Sequence, residues 1–134
     1  MSAQGRLTTL RRLGTLTARA AEAAEATLLR ARAAETAAKA ALARHDADLF
    51  EQAPRPEAGP AEQQAYASWL VWHRQARARL AGNLDRAAAE AAKARHALAL
   101  AHGRQEAVGH LTTRAAAEDR QTTARRLERD GQPI

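Results

Sequence analysis

Five histidines, His45, His73, His96, His102 and His110, are the side chains of this chain best suited to proton transfer or metal binding. Their spacing argues against both. No two are four residues apart, no HExxH or Cys/His cluster accompanies them, and a metal site needs three or four convergent ligands. Nucleophiles are equally scarce. The chain has no cysteine, and its only serines are Ser2 and Ser68. Ser68 has no base one helical turn away. Phosphate-cradling glycine loops and the G-x-S-x-G elbow are absent as well. The expectation is therefore no catalytic residue, no cofactor, no metal and no enzyme.

Two of these histidines acquire meaning from what surrounds them. The chain's four aromatic residues are Phe50, Tyr66, Trp69 and Trp72, and three of its four prolines, Pro54, Pro56 and Pro60, fall in the same short stretch. Tyr66, Trp69, His73 and Ala76 recur at three- and four-residue steps, so they share one helical face. Leu42, His45 and Leu49 do the same before the prolines. A chain that reverses at the proline cluster sets the two groups side by side. Two helices alone cannot bury four aromatics, so some indole area is expected to stay exposed. Exposed Trp, Tyr and Arg clusters are typical interface anchors.

The elements that must position these residues are legible in the composition. Alanine accounts for 38 of 134 residues, and it is the best helix former because it has no rotamer freedom to lose. It also buries little area, so it favours long helices along a thin seam over a globular core. A helix over about residues 6–52 is expected, a bend over 53–60, and a second helix over about 61–129. Together they make 1–134 a single all-α antiparallel coiled-coil hairpin.

Heptad positions can be assigned in both arms. In the first, the a positions are Leu7, Gly14, Ala21, Leu28, Glu35, Leu42 and Leu49, with Leu10, Thr17, Ala24, Ala31, Ala38 and His45 at d. Gly14, Thr17, Glu35 and His45 weaken this seam, and Leu13 and Leu16 stand beside it to close the N-terminal gap. The second seam runs from Leu70 and His73 through Arg77, Leu80, Leu84, Ala87, Ala91, Ala94, Leu98, Ala101, Gln105, Val108 and Thr112 to Ala115. Gly82, Gly103 and Gly109 each cost that helix about 1 kcal/mol relative to alanine, which predicts local bending without termination. At 1.5 Å per residue the arms differ enough to leave about 20 residues of the second overhanging. Pairing between chains is the alternative, because alanine seams specify partners weakly.

Charge and hydropathy set the remaining bounds. The net charge is +6, from 21 Lys+Arg against 15 Asp+Glu, interspersed along both arms. Mixed signs describe a solvated helix face, whereas dedicated nucleic-acid binders concentrate their cations in a stripe. Nucleic acid is not an expected partner, although a basic coiled coil binding nucleic acid or an anionic surface is a second reading. The last stretch carries Arg120, Arg125, Arg126 and Arg129, which suit a helix C-terminus and also an acidic partner. No apolar run reaches membrane-span length, and Met1 to Arg12 lacks the apolar core of a signal peptide. Without cysteines, the cytoplasm is the expected location.

This layout resembles the FliJ family of flagellar export proteins and its injectisome counterparts. The resemblance spans the chain in its two unequal arms, short reversal and aromatics just after the bend. In wording it is best over Leu42–Leu49, Tyr66–Leu84 and the leucine-spaced opening from Arg6 to Leu13. It implies a non-enzymatic stalk of a type III export apparatus, with the open end in a hexameric export ATPase ring and the bend against the membrane export gate. Export chaperones are further implied partners, and the implied location is the cytoplasmic side of the inner membrane. The gate surface would fall on Leu42, His45, Leu49, Trp69, His73 and Ala76, and Arg120, Arg125 and Arg126 would serve the ATPase. His45, Leu49 and His73 depart from the family's more typical residues, tyrosine being lost at the first two.

Overall fold

A computed structural model describes residues 2–131 of the chain. It contains two α-helices packed against each other as an antiparallel hairpin, α1 (Ala3–Glu51) and α2 (Pro60–Gly131), with no strand among the described residues. The expected all-α class holds. Helix α1 begins three residues earlier than the expected Arg6, because Ser2 caps it. The Ser2 hydroxyl accepts from Gly5 N–H at 3.0 Å, and its carbonyl accepts the first helical bond, from Arg6 N–H. A serine ahead of a helix start satisfies an N–H that would otherwise lack a partner. Helix α2 runs through Arg129 to Gly131, and Pro133 lies outside the described residues.

The bend follows from its prolines. Gln52 N–H closes the last turn of α1 onto Asp48 O at 2.9 Å. A turn over Arg55–Ala58 follows, closed by Ala58 N–H to Arg55 O at 3.0 Å. Pro56 occupies its second position, where a fixed φ near −65° is already the one required. Pro60 is then the first residue of α2, a place where its missing N–H costs nothing. Glu62 in the first turn adds a favourable charge to the helix dipole. The three interior glycines do not interrupt α2, which is continuous for 72 residues.

Contacts divide the chain into two halves, each holding a piece of both helices. The bend half is Thr27–Ala94; the end half comprises the residues up to Ala26 with those from Arg95 onward. In the bend half the buried residues are Leu28, His45, His73, Ala76, Ala91 and Ala94, and in the end half Leu7, Ala21, Ala101 and Ala115. Alanine dominates both sets, so the helices approach closely at a small return in buried area per residue.

The seam matches the heptad reading except at a few positions. Arg77 and Gln105 are exposed and not in the seam; Ala76 takes the inner position that Arg77 was expected to fill. Leu13 and Leu16 do not close the N-terminal gap, since both face solvent. At that level Gly14 faces Val108, whose side chain would lie 3.9 Å from a methyl at residue 14. His45, read as a weak point, is among the most enclosed residues of α1. Among the described residues, no helix is long and apolar enough to cross a membrane.

Candidate interaction surface at the bend

His45 and His73 lie 28 residues apart in sequence and stack face to face, with centroids 3.7 Å apart and planes 13° from parallel. Each ring is bonded to the other residue's backbone. His45 Nε2 meets His73 O at 2.7 Å, and His73 Nε2 meets His45 O at 2.7 Å. A carbonyl oxygen only accepts, so each Nε2 carries a hydrogen and donates it. Both carbonyls belong to helices and have a second lone pair for this bond. The result is a reciprocal clasp between α1 and α2 that leaves no buried polar side-chain atom unsatisfied among the described residues.

Aromatic rings extend the clasp on both sides. Tyr66 stacks on Trp69 at 5.7 Å, Trp69 leans on His73 at 4.7 Å, and Trp72 of α2 meets His45 of α1 at 6.2 Å. Five rings thus form one connected run through the bend half. Tyr66 and Trp69 also wall an open hollow of about 560 Å³ with Gln52, Pro54, Arg55 and Glu62.

One residue after His45 and four after His73, Asp46 and Arg77 make a two-pronged ion pair. Arg77 Nε donates to Oδ1 at 2.8 Å and its terminal nitrogen to Oδ2 at 3.3 Å. This paired geometry is directional as well as attractive. The hydrogen bond from Arg77, reinforced by its charge, holds the Asp46 carboxyl below its ordinary 3.8. Asp46 raises the guanidinium in return. Both side chains are about half exposed, so the pair fixes register more than it adds stability.

The six residues implied for the gate surface lie in the bend half but differ in access. His45, His73 and Ala76 are buried between the helices, Leu42 and Trp69 are half-buried, and Leu49 is exposed. The apolar area open to solvent belongs largely to neighbours: Trp72 at 55 %, Phe50 at 83 % and Val71 at 56 % exposure. The sequence placed Phe50 and Trp72 among the aromatics clustered at the bend but did not single out Val71 or the Asp46–Arg77 pair. Opposite charges one residue past one histidine and four past the other were the available signal for that pair. Arg120, Arg125 and Arg126 lie in the end half, all exposed, on the stretch of α2 that follows its last buried residue, Ala115. Among the described residues, no group of three or more metal-ligating side chains converges.

No family model matches the chain, and no curated protein or solved structure is similar to it.

Proposed function

We propose that the chain is a non-enzymatic hairpin subunit of a type III protein export apparatus, in the first place a flagellar one. In this role the end half engages a hexameric export ATPase, and the bend half contacts the membrane export gate and assists export chaperones. The location is then cytoplasmic and peripheral to the inner membrane. The same hairpin in an injectisome is the alternative setting. The observation that carries this reading is the bend half, where a helix pair offers Trp72, Phe50 and Leu49 to solvent over a rigid aromatic and histidine base. Trp72 rests against the His45 ring, and a large ring already held in one orientation loses little freedom on binding, which is what an interface anchor requires. The exposed arginines of the last α2 turns suit a second, electrostatic contact.

Binding to the cognate export ATPase tests one end of the proposal. Removing residues 114–134 should abolish stimulation of that ATPase, and an unchanged response counts decisively against the role. The gate contact is tested with Trp72→Ala, expected to weaken binding to the gate's cytoplasmic segment by about 1–2 kcal/mol while the helices stay folded. Undiminished affinity rejects the bend as the gate surface.

A further inference from the structure

The stacked histidines of the bend half can each take a proton at one atom only. Each Nε2 keeps its hydrogen in the bond to the opposite carbonyl, so in the neutral clasp the lone pair that can be protonated is on Nδ1. Neither Nδ1 has a hydrogen-bond partner, and no unpartnered side-chain nitrogen is sealed from solvent among the described residues, so water reaches both. A proton on one ring leaves the clasp intact. The Nε2–H of that ring still donates to its carbonyl, now as a charged and stronger donor. For His73, the Trp69 ring with its centroid 4.7 Å away adds the attraction of an indole for a cation.

A second proton meets a different situation. It sets two cations on nearly parallel rings 3.7 Å apart, in residues that are only 9 % and 3 % exposed. No spare acid is at hand to neutralise them. The charged residues nearest the rings are Arg44, Asp46 and Asp48 on α1 and Arg74 and Arg77 on α2. Asp46 is taken by Arg77, and the exposed Arg44, Asp48 and Arg74 leave one cation in excess. We propose that the clasp is a one-proton switch: the closed bend half admits a proton on one imidazole and excludes it from the other, so that acid opens this half by a single proton. In the unfolded chain both histidines charge below about pH 6.5. The open state then binds two protons and the closed state one, so closure weakens as pH falls. Opening parts the His45 ring, against which Trp72 rests, from its stacked partner, so acid also alters the face that the bend presents. The switch is a property of the clasp and holds whatever partner the chain has.

The test is a pH titration of the full chain, followed by NMR of its five imidazoles and by amide exchange corrected for its intrinsic pH dependence. His96, His102 and His110, all exposed in the end half, should each take up a full proton. His45 and His73 should take up one between them while the amides of the bend half stay protected. Below about pH 6.5 the opening constant of the bend half should rise about tenfold per pH unit, the signature of one proton. A rise of about a hundredfold means that the closed clasp excludes both protons, and no rise means that it admits both; either result overturns the proposal. His73→Gln keeps a side-chain N–H donor and removes one titrating ring, so opening of its bend half should lose this pH dependence. A tenfold slope retained in that variant also overturns the switch. Should the variant not fold, the native rings decide: two full protons, or none, on the protected pair refute it.

Discussion

The bend half and the end half are made of the same two helices, yet they are held in different ways. In the bend half, His45, His73, Asp46 and Arg77 bond across from one helix to the other, and rings fill the space around them. In the end half, the side-chain hydrogen bonds of Thr8, Thr9, Thr15, Thr17, Thr112, Thr113 and Thr122 all turn back onto their own helix. Its buried residues among those described are leucine and alanine, and Gly14 faces Val108. Apolar contact drives association but tolerates sliding by a heptad, whereas directional bonds permit one alignment. Register within the bend half is therefore fixed by the clasp and the ion pair.

The largest expected effect breaks the clasp. His73→Ala or His45→Ala removes a buried ring, the ring stack and one of the two directional bonds, at a cost of about 2–4 kcal/mol in denaturant unfolding. Each single variant keeps the partner ring's bond to a backbone carbonyl, so the double variant should cost more than either alone, and its shortfall from additivity measures the ring stack. The matched substitution in the end half, Thr17→Ala, should stay within about 0.5 kcal/mol. Comparable losses from Thr17 and His73 would erase the distinction between the halves.

A smaller effect sharpens the comparison from the other side. A methyl at Gly103 or Gly109 meets nothing within 4 Å, and neither glycine has a positive φ. Gly103→Ala and Gly109→Ala should each stabilise the protein by up to about 1 kcal/mol, seen as slower amide exchange in the end half. No gain from either would mean that the glycines serve the end half in some way other than sparing space.

The smallest effect concerns acid. The folded-state carboxyl of Asp46 ionises below its ordinary 3.8, so its contribution is complete above that value and is lost as pH falls through the lowered one. Carbon-detected NMR of the Asp46 carboxyl should show titration below 3.8 in the native protein and a return to the ordinary value in Arg77→Ala. A carboxyl that titrates identically in both proteins removes the ion pair from the account of register.

Most of the architecture was open to reading because it rests on local rules. Alanine-rich arms must be helical, and three prolines within seven residues must interrupt them, so α1, the bend and α2 were placed to within three residues at the ends where the structure describes them. What escaped depended on alignment between the arms. Which residue meets His45 is decided by how many residues the turn consumes, and no period in either arm records that number. The same blindness put Arg77 in the seam, where a long cation instead swings outward to Asp46 and leaves the inner place to Ala76. Leu13 and Leu16 misled for a related reason. A leucine is assigned inward by default, yet both of these stand out into solvent while Gly14 takes the place opposite Val108.

The placement of the indoles has one further consequence. The chain's only two tryptophans, Trp69 and Trp72, each lie against an imidazole of the stacked pair. Their emission is accordingly an optical gauge of that locality and of nothing beyond it, while far-ultraviolet ellipticity sums every turn of both helices. Watched together during melting, the two signals separate events at the hairpin's closed end from events along its length, with no dye or label added.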